Sequence, residues 1–114
     1  MAKFAVCVVD DSREDADECV KFLTKIHEIN RVISITEPFD LRRVIETEDI
    51  DVIFGANGFQ VYESIPLAKR PVLVLVTNHE GYGLQGFKLE AADYIMKPVN
   101  FSSISNAIKI FPFR

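Results

Sequence analysis

Five short runs rich in valine, isoleucine and other apolar residues alternate with stretches whose apolar residues recur at helical spacing, and this alternation restricts the fold more than any other feature. Runs this short, apolar on successive residues, read as strands buried on both faces. Strands that alternate with helices need crossover connections, which produce a parallel sheet with helices on both sides. Ligands bind such open sheets beyond the carboxyl ends of the strands, where the strand order reverses. A chain of 114 residues holds one core of this kind, so residues 1–114 are read as a single α/β domain.

Phe4 to Val9 is the first predicted strand, and it closes on Asp10 and Asp11. Ser12 suits a helix cap, and Glu14, Asp15 and Asp17 suit the positive end of a helix dipole. The stripe Ala16, Cys19, Val20, Leu23, Ile26 and His27 then carries a first helix from about Arg13 to about Glu28. Arg31 to Thr36 is the second strand, and Pro38 with Leu41, Val44 and Ile45 marks a short second helix. Asp51 to Ala56 is the third strand, broken by Gly55, Asn57 and Gly58. Val61 to Leu67 leaves room for a truncated third helix before Pro71, and Val72 to Val76 is the fourth strand. Asn78 to Gly83 reads as a loop, while Leu84, Phe87, Lys88 and Ala91 allow a fourth helix. Asp93 to Met96 is a brief fifth strand ended by Lys97 and Pro98. The last helix starts at Ser102 or Ser103 and carries Ile104, Ala107, Ile108 and Phe111.

Composition narrows the function classes. The formal charge of -4 repels phosphate backbones, so direct nucleic-acid binding by this domain is not expected. No apolar stretch has the length of a membrane span, and the amino terminus lacks the pattern of a secretory signal, so a cytoplasmic setting is expected. Cys7 and Cys19 show no metal-ligand spacing and read as buried thiols in a reducing compartment. His27 falls on the apolar side of the first helix, and His79 has no evident nucleophile or base partner, so neither is assigned catalysis.

Asp10, Asp11, Thr77 and Lys97 all fall at carboxyl ends of predicted strands. Two adjacent carboxylates there repel each other unless a cation offsets them, and Lys97 is placed to do so. The acid pair alone also fits a bland reading, in which Asp11 caps the first helix and Asp10 is solvated. Its context points further: VVDDS after the first strand, LVLVTN ending the fourth, and ADYIMKP around the fifth resemble the receiver domain of bacterial response regulators. The stretch YGLQGFKLEAADYIMKPV is most similar to receivers that precede LytTR-type DNA-binding domains, and the likeness covers essentially the whole chain.

The resemblance implies a flavodoxin-like (CheY-like) three-layer fold of strand order 2-1-3-4-5 and a role in two-component signalling rather than enzymatic turnover. It also implies that Asp10 and Asp11 form the acidic pocket that binds magnesium together with a third aspartate, which accepts a phosphoryl group. Thr77 and Lys97 would contact the phosphoryl oxygens, Tyr94 would be the switch aromatic, and Pro98 completes the Lys-Pro turn.

The chain departs from that pattern at the third strand, where Asp51, Val52, Ile53, Phe54, Gly55 and Ala56 put Ala56 in the phosphoacceptor position. A register slip of one brings in Asn57, which has no carboxylate to form an acyl phosphate either. Asp51 cannot substitute, because five residues at about 3.3 Å each place it roughly 16 Å away. Without the third acid, magnesium binding at Asp10 and Asp11 is expected to be weak or absent, no other cofactor is expected, and Lys97 is expected to pair with Asp10 or Asp11. The expected behaviour is that of a degenerate, phosphorylation-independent receiver. Its partner is a signalling protein, its own output domain, or a second copy bound through the fourth helix, fifth strand and fifth helix. The alternative is a regulatory module that binds a small ligand or anion where the acceptor carboxylate is missing.

Overall fold

The computed structural model of the protein describes residues 3–57, 59–78 and 88–110. Along the chain run β1 (Phe4–Val9), α1 (Arg13–Leu23), β2 (Ile29–Ile35), α2 (Asp40–Thr47), β3 (Val52–Gly55), α3 (Phe59–Glu63), a 3-10 turn at Leu67–Lys69, β4 (Val72–Thr77), β5 (Asp93–Met96) and α4 (Phe101–Ile110). The five strands form one sheet in the order β2-β1-β3-β4-β5, and every pair is parallel. This is the doubly wound order expected, with its topological reversal between β1 and β3.

Alternation along each strand sorts the core into two layers. Val6 and Val8 of β1, Phe54 of β3 and Val74 and Val76 of β4 face α1 and α4, where Ala16, Cys19, Leu23, Ile104, Ala107 and Ile108 cover them. Cys7, Val9, Ile53 and Leu73 face the other way, onto Leu41, Val44, Tyr62 and Leu89. Both sides of the sheet are thus covered, which is why its strands carry continuous apolar runs instead of alternating ones.

Several expected boundaries move: β2 runs Ile29–Ile35 instead of Arg31 to Thr36, and β3 runs Val52–Gly55 instead of Asp51 to Ala56. α1 ends at Leu23, not near Glu28, because the N–H groups of Lys25 and Ile26 turn to the carbonyls of Phe22 and Leu23 in a tight closing turn. Ile26 still reaches the core, but His27 lies beyond the helix and is exposed, so its place on an apolar helical face is corrected. α4 starts at Phe101, before the two expected serines, because Asn100 supplies the cap: Ser103 N–H donates to Asn100 Oδ1 at 2.8 Å and Asn100 N–H to Ser103 Oγ at 3.4 Å. The third helix is as short as expected but lies earlier, at Phe59–Glu63 instead of within Val61 to Leu67. Gly58, His79, Gly81, Gly83, Leu84, Phe87 and Phe111, with most of the predicted fourth helix and its preceding loop, lie outside the described residues.

Candidate functional site

Strand register decides which side chains share the carboxyl edge. Val9 lies beside Gly55, Gly55 beside Leu75, and Thr77 beside Met96. The ladder carries one step further, since Ala56 N–H donates to the Val9 carbonyl at 2.8 Å and Lys97 N–H to the Thr77 carbonyl at 2.7 Å. Asp10, Ala56, Thr77 and Lys97 therefore stand together at one end of the three central strands and β5.

The two acids differ sharply in setting. Asp10 is 4% exposed, whereas Asp11 is exposed to solvent. Asp10 Oδ1 accepts the Ser12 N–H at 3.0 Å, and Asp10 Oδ2 lies 2.8 Å from Lys97 Nζ. Ser12, not Asp11, caps α1, its Oγ accepting the Asp15 N–H at 3.2 Å. The bland reading of a solvated Asp10 beside a capping Asp11 is thereby set aside. Lys97 does pair with an acid of the leading pair, but with Asp10, and its second partner is Asp15 at 2.7 Å.

These contacts close a ring: Asp10 to Ser12, Ser12 to Asp15, Asp15 to Lys97, and Lys97 back to Asp10. Asp15 was legible only as a dipole residue. The additional signal was its place three residues after the capping serine, where the first turn of α1 faces the strand ends. The Lys97 side chain is 16% exposed, so these bonds are only partly screened. Burial pulls the Lys97 ammonium down, but the hydrogen bonds and charges of Asp10 and Asp15 outweigh it and hold the group above its ordinary value.

At the end of β3 the chain presents a methyl group at Ala56 and then the amide of Asn57, whose Oδ1 is buried without a hydrogen-bond partner among the described residues. Asp51 sits at the other end of that strand, where its Oδ2 accepts the Ala5 N–H at 2.8 Å. Asp51 is thus a structural acid that joins β1 to β3 at the amino edge. Thr77 is buried at the end of β4, Tyr94 is partly buried on β5, and the Lys97–Pro98 peptide is cis. Cys7 and Cys19 are both buried and free.

Two cavities meet beside Asp15 and Lys97. A cleft of about 360 Å³ opens over Asp11, Ala56, Asn57, Thr77 and Asn78, and a second of about 220 Å³ runs between α1 and the sheet over Val8, Phe54 and Val76. Asp15, Ala56 and Lys97 line both. With Lys97 bonded in place, the donor set does not suit a divalent cation. Both oxygens of Asp10 are engaged, no acid closes β3, and the described residues hold no cluster of three metal-ligating His, Cys, Asp or Glu side chains.

A parallel sheet of this order, with an acid pair after its first strand and a lysine after its fifth, defines a receiver-type signalling module. Residues 6–109 match the response regulator receiver domain family, and the chain belongs to it. It is 30% identical over 112 residues to the sensory transduction protein LytT of Bacillus subtilis, an alignment that takes in 91% of this chain and 46% of that one. It is 28% identical to the transcriptional regulatory protein LytR of Staphylococcus aureus, over 89% of this chain and 44% of that one. The chain therefore spans less than half the length of these curated relatives. Among solved structures, the response regulatory domain of mrkE from Klebsiella pneumoniae superposes with a TM-score of 0.79 at 22% identity, covering 96% of this chain and 95% of that one. A signal receiver domain of a putative Luxo repressor protein from Vibrio parahaemolyticus gives 0.81 at 14% identity, covering 96% and 89%. These two likenesses establish the fold. No helix among the described residues is long and apolar enough to cross a membrane.

Proposed function

We propose that this domain is a phosphorylation-independent receiver that signals by binding another protein or an attached output domain. One observation carries the reading: β3 ends in the methyl group of Ala56 while the Lys97 ammonium is already bonded to Asp10 and Asp15. A methyl group cannot accept a phosphoryl group, and an ammonium held by two carboxylates has its attraction for an incoming anion largely offset. In this reading Asp10, Asp11, Thr77, Tyr94, Lys97 and Pro98 keep the receiver frame without its phosphoryl chemistry. The domain turns over no substrate, needs no magnesium and works in the cytoplasm. Incubation with acetyl phosphate and magnesium, followed by intact mass measurement, is expected to leave the mass unchanged. A stable gain of one phosphoryl group on an aspartyl side chain would overturn the proposal.

The partner surface proposed is the face made by the predicted fourth helix, β5 and α4. Met96 on β5 is 40% exposed, which supports an apolar contact there. Part of that face lies outside the described residues. Size-exclusion chromatography with light scattering tests the homodimer form of the idea, and a monomer at high concentration would leave only a different protein or an output domain as partner. With its acidic balance, the domain itself is proposed to leave DNA contacts to any attached output domain.

The 220 Å³ cavity favours a second reading, a small-ligand regulatory module. Its apolar floor and the neutralised Lys97 argue for an uncharged ligand over an anion. A melting-temperature panel that shows no shift with any metabolite would count against it.

A further inference from the structure

The acidic edge carries a cation of its own. Lys97 Nζ lies 2.8 Å from Asp10 Oδ2 and 2.7 Å from Asp15 Oδ2, so one positive centre bridges the end of β1 and the first turn of α1. Two carboxylates sharing one ammonium at these distances form a compact arrangement of the kind that a hydrated divalent ion also accepts, since magnesium is commonly held by one or two carboxylates plus water. The ring through Ser12 fixes the Asp10 carboxylate and the stretch of backbone that carries Asp15 before any ligand arrives. Ser12 N–H orients Asp10, and Ser12 Oγ orients the Asp15 backbone.

We infer that Lys97 is the resident cation of this edge, its ammonium standing where a divalent ion would otherwise be held, and that Asp15 is the positioning residue that keeps it there. The inference rests on the phosphorylation-independent reading and names how that state is maintained. Asp15 is the residue that sequence comparison with a receiver pattern does not mark. It supplies from α1 the second negative charge that the end of β3 does not provide. Asp10 consequently has its counter-charge from within, and external magnesium has no open pair of carboxylates to occupy.

Manganese serves as the probe, because its paramagnetism broadens the amide NMR signals of residues close to it. The wild-type chain is expected to show no saturable broadening at residues 10–15 in the low millimolar range. Lys97→Met is expected to expose Asp10 and Asp15 and to bind manganese at least about tenfold more tightly than wild type, a difference of about 1.4 kcal/mol. Lys97→Gln serves as a second variant that keeps a polar group near Asp10 if the methionine form unfolds. Saturable manganese binding by wild type at these residues, or no gain in a folded Lys97 variant, would overturn the inference.

The positioning role of Asp15 has its own readout, the rate at which Lys97 is acetylated by acetic anhydride relative to the other lysines. Lys97 is expected to be the slow one in wild type, to label several-fold faster in Asp15→Asn, and to slow again in Asp15→Glu. Equal labelling of Lys97 in wild type and Asp15→Asn would remove Asp15 from the role. All measurements use unphosphorylated protein, so a phosphoryl gain from acetyl phosphate would sink the proposed function without deciding the cation result, and the reverse also holds.

Discussion

At the scale of single residues, Lys97 is the side chain on which most depends. Its partner Asp10 has a side chain only 6% exposed, so removing the ammonium leaves a buried carboxylate without a counter-charge. Lys97→Met is expected to lower the unfolding free energy by about 3–5 kcal/mol in denaturant titrations. Adding Asp10→Asn should recover most of that loss, because the stranded charge goes with it. Additive costs in the double variant would show that the pair does not interact. The carboxyl-edge residues Asp10, Thr77 and Lys97 were legible in the sequence because each ends an apolar run, and strand ends are visible as such. The choice of Asp15 over Asp11 as the second partner of Lys97 was not. Adjacent residues at a strand end point in different directions, and which of them meets a lysine about eighty positions away depends on how α1 leaves the sheet.

At the scale of elements, the segment between β3 and β4 is held by side chains where a longer helix would hold it by its own backbone. Tyr62 Oη donates to the Pro71 carbonyl at 2.8 Å, and Arg70 donates to the carbonyls of Ile65 and Glu63 at 2.8 and 2.6 Å while stacking over the Tyr62 ring. Tyr62 is 5% exposed, so its hydroxyl has little water to fall back on. Tyr62→Phe is expected to cost about 1–3 kcal/mol, read as a lower denaturation midpoint with an unchanged slope. The shortness of α3 was legible from the early Pro71, but the tyrosine and arginine staples were not, since neither contact has a sequence period. α4 teaches the same lesson at its start. Two serines looked like caps, and Asn100 took the position because its amide reaches the Ser103 N–H while the serine hydroxyl answers back.

At the scale of the whole molecule, stability should depend on alkaline pH. Burial pushes the thiol of Cys7 from its ordinary 9.0 up to about 12. The Cys19 thiol is likewise pushed up to about 12, by burial first and the Asp10 charge second, against a small opposing pull from Lys97. A value higher in the folded chain than in the unfolded one means that the unfolded chain releases its proton first as pH rises. This contribution is therefore complete below about pH 9 and is lost as the pH climbs toward 12. Lys97, held above its ordinary 10.5, adds a loss of the same sign beginning near that value. Denaturation free energies are expected to be flat from pH 7 to about 8.5 and to fall steadily above about 9. A flat profile to pH 11 would contradict the burial of both thiols.

The order of strands and helices, the two-sided covering of the sheet and the gathering of Asp10, Thr77 and Lys97 at its carboxyl edge were determined by the sequence itself. Hydrophobic period and strand ends are local properties, and parallel crossover geometry leaves few alternatives once they are known. Which acids hold Lys97, where α1 and α4 begin and end, and what fastens the α3 segment were decided only in the tertiary structure. Those outcomes turn on distances between side chains far apart along the chain, and no local pattern encodes them.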